Sequence, residues 1–388
     1  MKPATRAAAT RQADQPLVEA ARRRDVLICV GSGGVGKTTV AASIALRAAV
    51  DGKSALVCTI DPARRLANSL GLSQLGNAET RIAAEKLIAA GLPPGAPLFA
   101  MMLDIKQTWD EFIERHAPPN RREQILSSRF YRSLSTTLAG SQEYIAMEKL
   151  WQLRAHRDYG LIVLDTPPTA HALDFLDAPN RVLDFFDNEA SRWLLAPALT
   201  AGKLGLQLFN WGGSYIAKTI SKLTGTETLQ ELASFMLAIS GMNESFRQRA
   251  RQVRALLAAE RTAFVLVVSP NLEGLDEVTH FHTLLQQNHM AVAAVVVNRV
   301  QLPPRPTDWS AAAALEPMLR DKVEATLRER QATAAQDEEA IAEIRSHCQP
   351  TPLIQVPRFS LDVHDLAGLW RTSRFLFGDE QRGHTEMD

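Results

Sequence analysis

Apolar residues along the chain fall into short continuous runs that are separated by longer segments of helical periodicity. The runs are rich in Val, Ile and Leu and too short for most helices, so they predict buried β-strands. The predicted strands cover residues 26–30, 54–60, 98–105, 160–164, 262–268, 291–297 and 353–356. The predicted helices cover residues 40–50, 107–157, 275–288 and 315–344. This alternation is typical of an α/β fold in which helices flank a doubly wound, mostly parallel sheet.

A glycine-rich loop connects the first predicted strand to the first predicted helix. Its sequence, GSGGVGKTT at residues 31–39, allows a backbone turn that larger side chains would block, and such a loop can wrap an anion. We expect Lys37 to reach the β- and γ-phosphates of a nucleotide and the Thr38 hydroxyl to bind Mg²⁺. The strand before the loop and the helix after it argue against a chance glycine-rich turn. The predicted phosphate-binding residues are Gly33, Gly34, Val35, Gly36, Lys37, Thr38 and Thr39.

Two aspartates directly follow predicted strands. Asp61 comes directly after the run at 54–60, and Asp165 comes directly after the run at 160–164. Because the carboxyl ends of parallel strands border the ligand crevice of an open α/β sheet, both carboxylates are expected near the phosphate loop. Asp61 is a candidate for holding the attacking water, and Asp165 for accepting hydrogen bonds from Mg²⁺-bound water. Together with Thr38 they are the predicted metal-site residues, although Asp61 could instead cap a helix.

Two further residues are candidates for contacting a nucleotide base. Asn298 follows the valine-rich strand at 291–297, and its amide could both donate to and accept from the edge of adenine. The alternative is an ordinary turn residue at a strand end. Pro357 follows the last predicted strand and could lie against a base. Both assignments need the two strands to end at the same edge of the sheet as the glycine-rich loop.

A long apolar block lies between the fourth and fifth predicted strands. Residues 191–220 are apolar at helical spacing, but glycines and Lys203 interrupt them too often for a membrane span. These helices are either core or expose an apolar face in only some nucleotide states. We therefore predict one domain over 25–378 with helical insertions at about 107–157 and 185–255, followed by a polar tail at 379–388.

Composition limits the kinds of binding partner and the cellular compartment that fit this chain. The chain has 388 residues and no formal net charge, which argues against a general nucleic-acid binder. Its first 24 residues are rich in arginine and lack the apolar core of a signal peptide, so they predict a flexible basic arm. The three cysteines, Cys29, Cys58 and Cys348, lie far apart. They favour buried thiols in a reducing cytoplasm over a disulfide framework or a structural zinc site.

Four segments together resemble the ArsA/GET-type ATPase family, which includes the arsenite-pump ATPase and the targeting factor for tail-anchored membrane proteins. They are GSGGVGKTT at 31–39, DPARRLANSLGL at 61–72, DTPPTAHALDFL at 165–176 and VVVNRV at 295–300. The likeness extends from residue 25 to about residue 370. It implies a P-loop NTPase with a deviant phosphate loop that hydrolyses ATP with Mg²⁺. In that reading Lys37 and Asp61 are catalytic, Asp165 lies in the second switch and Asn298 lies at the base.

The resemblance also implies a dimer, because family members with one ATPase unit act as homodimers; the second protomer could also be a paralogue. Three departures matter. Ser32 stands where the family commonly has a lysine that crosses to the partner's nucleotide, so hydrolysis is slow or another cation, Arg64 or Arg65, takes its place. The second departure is the missing Cys-x-x-Cys zinc motif of the targeting factor.

The third departure is the missing cysteine set of the pump ATPase, which disfavours transport of soft metalloids.

Three functions remain open from the sequence. The first is a cytoplasmic dimeric ATPase, with peripheral membrane attachment as a variant, whose switch controls an apolar surface for a client protein or a membrane-associated partner. The second is a nucleotide-gated dimerisation scaffold with very slow hydrolysis, which Ser32 favours. The third is the energising subunit of an anion or metalloid pump, which the cysteine pattern makes the weakest of the three.

Overall fold

A computed structural model describes residues 16–60, 64–137, 141–167, 231, 234–235, 237–239, 242–271 and 275–379. Within these residues eight strands form one sheet. The strands are β1 (Val26–Val30), β2 (Ala55–Thr59), β3 (Thr80–Arg81), β4 (Leu98–Met102), β5 (Leu161–Asp165), β6 (Thr262–Val268), β7 (Val292–Val300) and β8 (Leu353–Pro357). All seven predicted strands are present. The additional strand, β3, has two polar residues and no apolar run that could have signalled it.

The sheet is parallel except at one edge. Its strand order is β3-β4-β2-β5-β1-β6-β7-β8, and only the β3–β4 pair is antiparallel. The predicted doubly wound, mostly parallel architecture is therefore confirmed. Strand β1 lies between β5 and β6, so the loop that follows β1 opens at the centre of the sheet. Ligands bind at this position in open α/β sheets.

Helices flank the strands and supply the rest of the core. They are α1 (Pro16–Arg23), α2 (Lys37–Val50), α3 (Arg65–Ser69), α4 (Ala84–Ala89), α5 (Ile105–His116), α6 (Arg122–Ser127), α7 (Arg129–Thr137), α8 (Ser141–His156), α9 (Asn243–Leu257), α10 (Leu275–Gln287), α11 (Pro306–Ala313), α12 (Pro317–His347) and α13 (Leu366–Leu376). Helix α2 packs against β1, β2, β5 and α13. Its small residues Ala41, Ala45 and Ala48 are buried, because they allow the helix to approach the sheet closely. This packing fixes the amino end of α2 beside the glycine-rich loop.

The N-terminal segment differs from the prediction. The prediction of a flexible basic arm over residues 1–24 is wrong for residues 16–23, because Pro16–Arg23 form helix α1. Leu17, Val18, Ala20 and Ala21 are buried on one face of this helix, while its arginines lie on the other. Lys53 holds the end of α1 by donating hydrogen bonds to the carbonyls of Ala21 and Arg22. Apolar burial therefore outweighs the charge of this short segment.

The chain divides into two compact units. One holds the sheet, and the other contains residues 104–155 and 174–256. The described part of the second unit is helical, and its core contains Trp109, Phe112, Tyr144 and Phe246 in mutual ring contact. These four rings therefore belong to the core of the second unit and not to a binding site. The apolar block at 191–220 lies outside the described residues. None of the helices described could span a bilayer, since each is too short or too polar.

Candidate functional site

The glycine-rich loop adopts a conformation that requires glycine at two positions. Gly31 has φ +150°, and a Cβ there would lie 2.0 Å from the Val267 carbonyl oxygen of β6. Gly36 has φ +96°, and a Cβ there would lie 2.3 Å from the Asn298 side-chain nitrogen. Among the described residues, no protein group accepts a hydrogen bond from the N–H groups of Gly33, Gly34 and Gly36. These donors, next to the amino end of α2, suit a bound anion.

Lys37 is the first residue of α2 and lies over the loop. It is 6% exposed, and its Nζ donates to the carbonyl oxygens of Gly31 and Ser32, each at 2.7 Å. The ammonium group is thereby held at the loop while the aliphatic stem is buried. This arrangement provides a positive charge beside the backbone donors of the loop. It fits the predicted role of Lys37 at the β- and γ-phosphates.

Asp165 ends β5 and receives two threonine hydroxyls on one oxygen. Thr38 Oγ1 donates to Oδ2 of Asp165 at 2.7 Å, and Thr59 Oγ1 donates to the same oxygen at 2.8 Å. Asp165 is 1% exposed. Thr59 ends β2 and is in register with Asp165, so both side chains lie on the same face of the sheet. The structure thus brings together Lys37, Thr38 and Asp165, which the sequence had proposed as one site.

The donor set around Asp165 fits Mg²⁺. It consists of a hydroxyl and a carboxylate, the hard oxygen ligands that this cation prefers, next to a loop suited to phosphate. Thr38 would bind the ion directly, and Asp165 would accept hydrogen bonds from its water ligands. Bound Mg²⁺ would neutralise negative charge on the phosphates.

Thr59 is a residue that the sequence analysis missed. Replacing it with valine removes one hydrogen bond to Asp165 while preserving shape, so we expect hydrolysis to need about three- to tenfold more Mg²⁺ for its half-maximal rate. Thr59→Ser should restore the wild-type requirement, because serine keeps the hydroxyl. Steady-state phosphate release measured against Mg²⁺ concentration provides the check. The matched control is Thr262→Val, which alters a buried threonine at the amino end of β6, whereas Thr59 lies at the carboxyl end of β2. If both valine variants had the same Mg²⁺ requirement, Thr59 would have no role in the site.

The predicted base contacts lie at the carboxyl ends of β7 and β8. Asn298 is 6% exposed, and its Nδ2 donates to the Val35 carbonyl oxygen at 2.8 Å. Its side chain therefore contacts the glycine-rich loop, which the sequence did not indicate. Pro357 is buried at the end of β8 and is paired with Val300 of β7. The base-contact roles of both residues stay predictions.

The residue predicted to hold the attacking water and the two arginines predicted as substitute cations are placed only in part. Asp61 lies outside the described residues. Arg64 has φ 55° and lines a cavity of about 90 Å³ together with Thr59 and Gln74. Arg65 begins α3 and is exposed. Arg64 thus borders the same strand end as the threonine that contacts Asp165, whereas the role proposed for it or Arg65 as a substitute cation is still a prediction.

The cysteines do not form a metal-binding group. Cys29, Cys58 and Cys348 are all buried and free of disulfides. Burial, followed by the negative charge of nearby Asp165, raises the pKa of the Cys29 thiol well above its usual value. A neutral, enclosed thiol is a poor ligand for soft metals, which bind the thiolate. The prediction that Cys29 and Cys58 act as small core residues is confirmed.

Comparison with known proteins relates this site to a family of ATPases. A profile described as "Anion-transporting ATPase" matches residues 24–378. The chain is 28% identical to ATPase GET3B of Arabidopsis thaliana over 306 residues, which cover 74% of this chain and 66% of that protein. It is also 28% identical to the ATPase ASNA1 homolog of Cryptosporidium parvum, over 70% of this chain and 64% of that protein. The chain thus spans just under two thirds of the length of these two relatives.

A bacterial protein also matches over most of this chain. It comes from Aquifex aeolicus, and its provisional name is arsenical pump-driving ATPase 1. The two are 22% identical over 92% of this chain and 79% of that protein. All three relatives carry the word ATPase in their names, while the names differ in the pathway they indicate.

Proposed function

This chain belongs to the anion-transporting ATPase (ArsA) family, and from that premise we propose that it is a Mg²⁺-dependent ATPase that works as a dimeric nucleotide switch. The switch would control an apolar helical surface that binds a client protein or a membrane-associated partner in the cytoplasm. The observation that carries the proposal is the convergence of Lys37, Thr38 and Asp165 beside the backbone donors of the glycine-rich loop. The relatives named GET3B and ASNA1 homolog support it.

The chemistry follows from the charges that the site supplies. The N–H groups of the loop and the Lys37 ammonium would stabilise negative charge that develops on the γ-phosphate during in-line attack by water. Asp61 would orient that water, as the sequence indicates. The hydroxyls of Thr38 and Thr59 donate to one carboxylate oxygen of Asp165, and this contact supports the proposal that Thr38 would bind Mg²⁺ next to that carboxylate.

Asp61→Asn tests the hydrolytic part of the proposal. The amide keeps the size of the carboxylate but is a weaker acceptor for the attacking water, so we expect ATP binding within about threefold of wild type and at least about a hundredfold slower phosphate release. Binding is measured by calorimetry and turnover by steady-state phosphate release. Asp321→Asn, at an exposed position of α12, should leave both unchanged. Full turnover by Asp61→Asn would show that Asp61 does not orient the water.

The dimer and the client rest on the resemblance and on the apolar block. Family members with a single ATPase unit act as homodimers, and this chain contains one glycine-rich phosphate loop. A paralogue could replace the second copy. The residues at 191–220 are too apolar for an ordinary surface and too interrupted for a membrane span. A helix of a client protein is the partner that such a surface suits.

Ser32 favours a second candidate, a dimerisation scaffold that binds ATP and hydrolyses it very slowly. A cation that crosses to the transferring phosphate contributes about 10³ to 10⁵ in rate in related reactions, and serine cannot supply it. Arg64 or Arg65 would have to compensate for a fast ATPase. Steady-state phosphate release by the purified protein separates the two candidates. The pump subunit is less well supported, because the three cysteines are buried and separate.

A further inference from the structure

Strand β7 ends in an irregularity beside the glycine-rich loop. The register between β7 and β8 shifts between Val297 and Val300. Within this shift Arg299 has φ 63°, which is uncommon for a residue other than glycine. Irregularities of this kind often redirect side chains next to active sites. Here the result is that two consecutive side chains, Asn298 and Arg299, contact the same loop.

The two contacts fall on consecutive carbonyl groups. Arg299 Nη1 donates to the Gly34 carbonyl oxygen at 3.0 Å, and Asn298 Nδ2 donates to the Val35 carbonyl oxygen at 2.8 Å. The Gly34 carbonyl shares its peptide plane with the N–H of Val35, and the Val35 carbonyl shares its plane with the N–H of Gly36. A donor fixed on each carbonyl therefore sets the direction of the N–H on the other side of that plane. It also polarises this N–H, which makes it a stronger donor to an anion.

The loop is packed tightly against this pair. The α-carbon of Gly36 is so close to Asn298 that an added Cβ would lie 2.3 Å from Nδ2. Arg299, in contrast, is exposed, and it forms no salt bridge among the described residues. Its positive charge is thus held next to a loop whose second residue, Ser32, carries no charge. One contact is buried and specific in shape, and the other is exposed and charged.

We propose that Asn298 and Arg299 form a two-point clamp on the glycine-rich loop that sets its affinity for the polyphosphate part of a nucleotide. Arg299 is a positioning residue that acts through the Gly34–Val35 peptide. The proposal deepens the ATPase function proposed above and rests on it. It differs from a base-reading role for Asn298, because a clamp strengthens binding of any polyphosphate, with or without a base.

Calorimetric binding of ATP, GTP and inorganic tripolyphosphate separates these roles. Asn298→Ala and Arg299→Ala should each weaken all three ligands by a similar factor of about five to ten. Arg299→Lys should recover most of the loss, because lysine keeps a charged donor. The preference for ATP over GTP should stay as in wild type in both alanine variants, and the melting temperature should stay as in wild type in Arg299→Ala, whose contact is exposed. Arg305→Ala, an exposed arginine paired with Asp308 away from the loop, is the matched control and should bind all three ligands normally.

Two results would overturn the clamp. If Asn298→Ala binds tripolyphosphate as wild type does but loses the preference for ATP over GTP, Asn298 reads the base. If Arg299→Ala binds every ligand as wild type does, the exposed contact has no role; this residue lies at the surface, so the variant is expected to fold. A wild-type protein that binds neither ATP nor tripolyphosphate would instead refute the proposed ATPase function, and the clamp with it.

Discussion

Replacing Lys37 with alanine should reduce ATP hydrolysis by at least about a hundredfold and weaken ATP binding. Two effects combine in this variant. The site loses a positive charge next to the terminal phosphates, and the loop loses the hydrogen bonds from Nζ to the carbonyls of Gly31 and Ser32. Lys37→Arg should not restore activity, since the larger guanidinium group cannot occupy a position that is 6% exposed. Phosphate release and calorimetry measure the two consequences separately.

A surface lysine provides the control for this prediction. Lys86 also donates from Nζ to a backbone carbonyl, that of Gly71, but at an exposed position. Lys86→Ala should bind and hydrolyse ATP as wild type does. If Lys37→Ala retained more than half of the wild-type turnover, the glycine-rich loop would not be a catalytic phosphate site, and the ATPase proposal would fail.

Asp165→Asn should separate function from stability. The amide has the shape of the carboxylate but no charge, so Mg²⁺ should no longer strengthen ATP binding, and hydrolysis should fall by at least about a hundredfold. A carboxylate that is 1% exposed carries a desolvation cost. Its neutral replacement should therefore leave the melting temperature unchanged or raise it in the absence of nucleotide. Calorimetry with and without Mg²⁺ and thermal unfolding test both statements.

The opposite pattern is expected at an aspartate that only caps a helix. Asp365 precedes α13 and accepts a hydrogen bond from the Gly368 N–H at 2.7 Å. Asp365→Ala should cost about 1 kcal/mol of stability and leave the Mg²⁺ dependence intact. A loss of stability in Asp165→Asn with unchanged Mg²⁺ dependence would assign Asp165 a structural role.

Much of the fold could be predicted because its signals are local. The strand at 262–268 was predicted with the observed bounds, and the glycine-rich loop was recognised from nine consecutive residues. Buried parallel strands read as continuous apolar runs, whatever their neighbours are. Helix α1 was missed, because its arginine-rich sequence resembles a solvated tail and only the core of the sheet unit offers its apolar face a partner.

The residues of the site also fall into two groups: those that the sequence predicted and those that only the structure identified. The sequence alone determined that this chain has a phosphate loop with Lys37 and Thr38 and that an aspartate follows the strand that became β5. Only the tertiary structure decided that Thr59 shares Asp165 with Thr38, and that Asn298 and Arg299 contact the loop. The first facts depend on neighbours along the chain. The second depend on strand register and on a positive φ at Arg299, which contacts between distant segments determine.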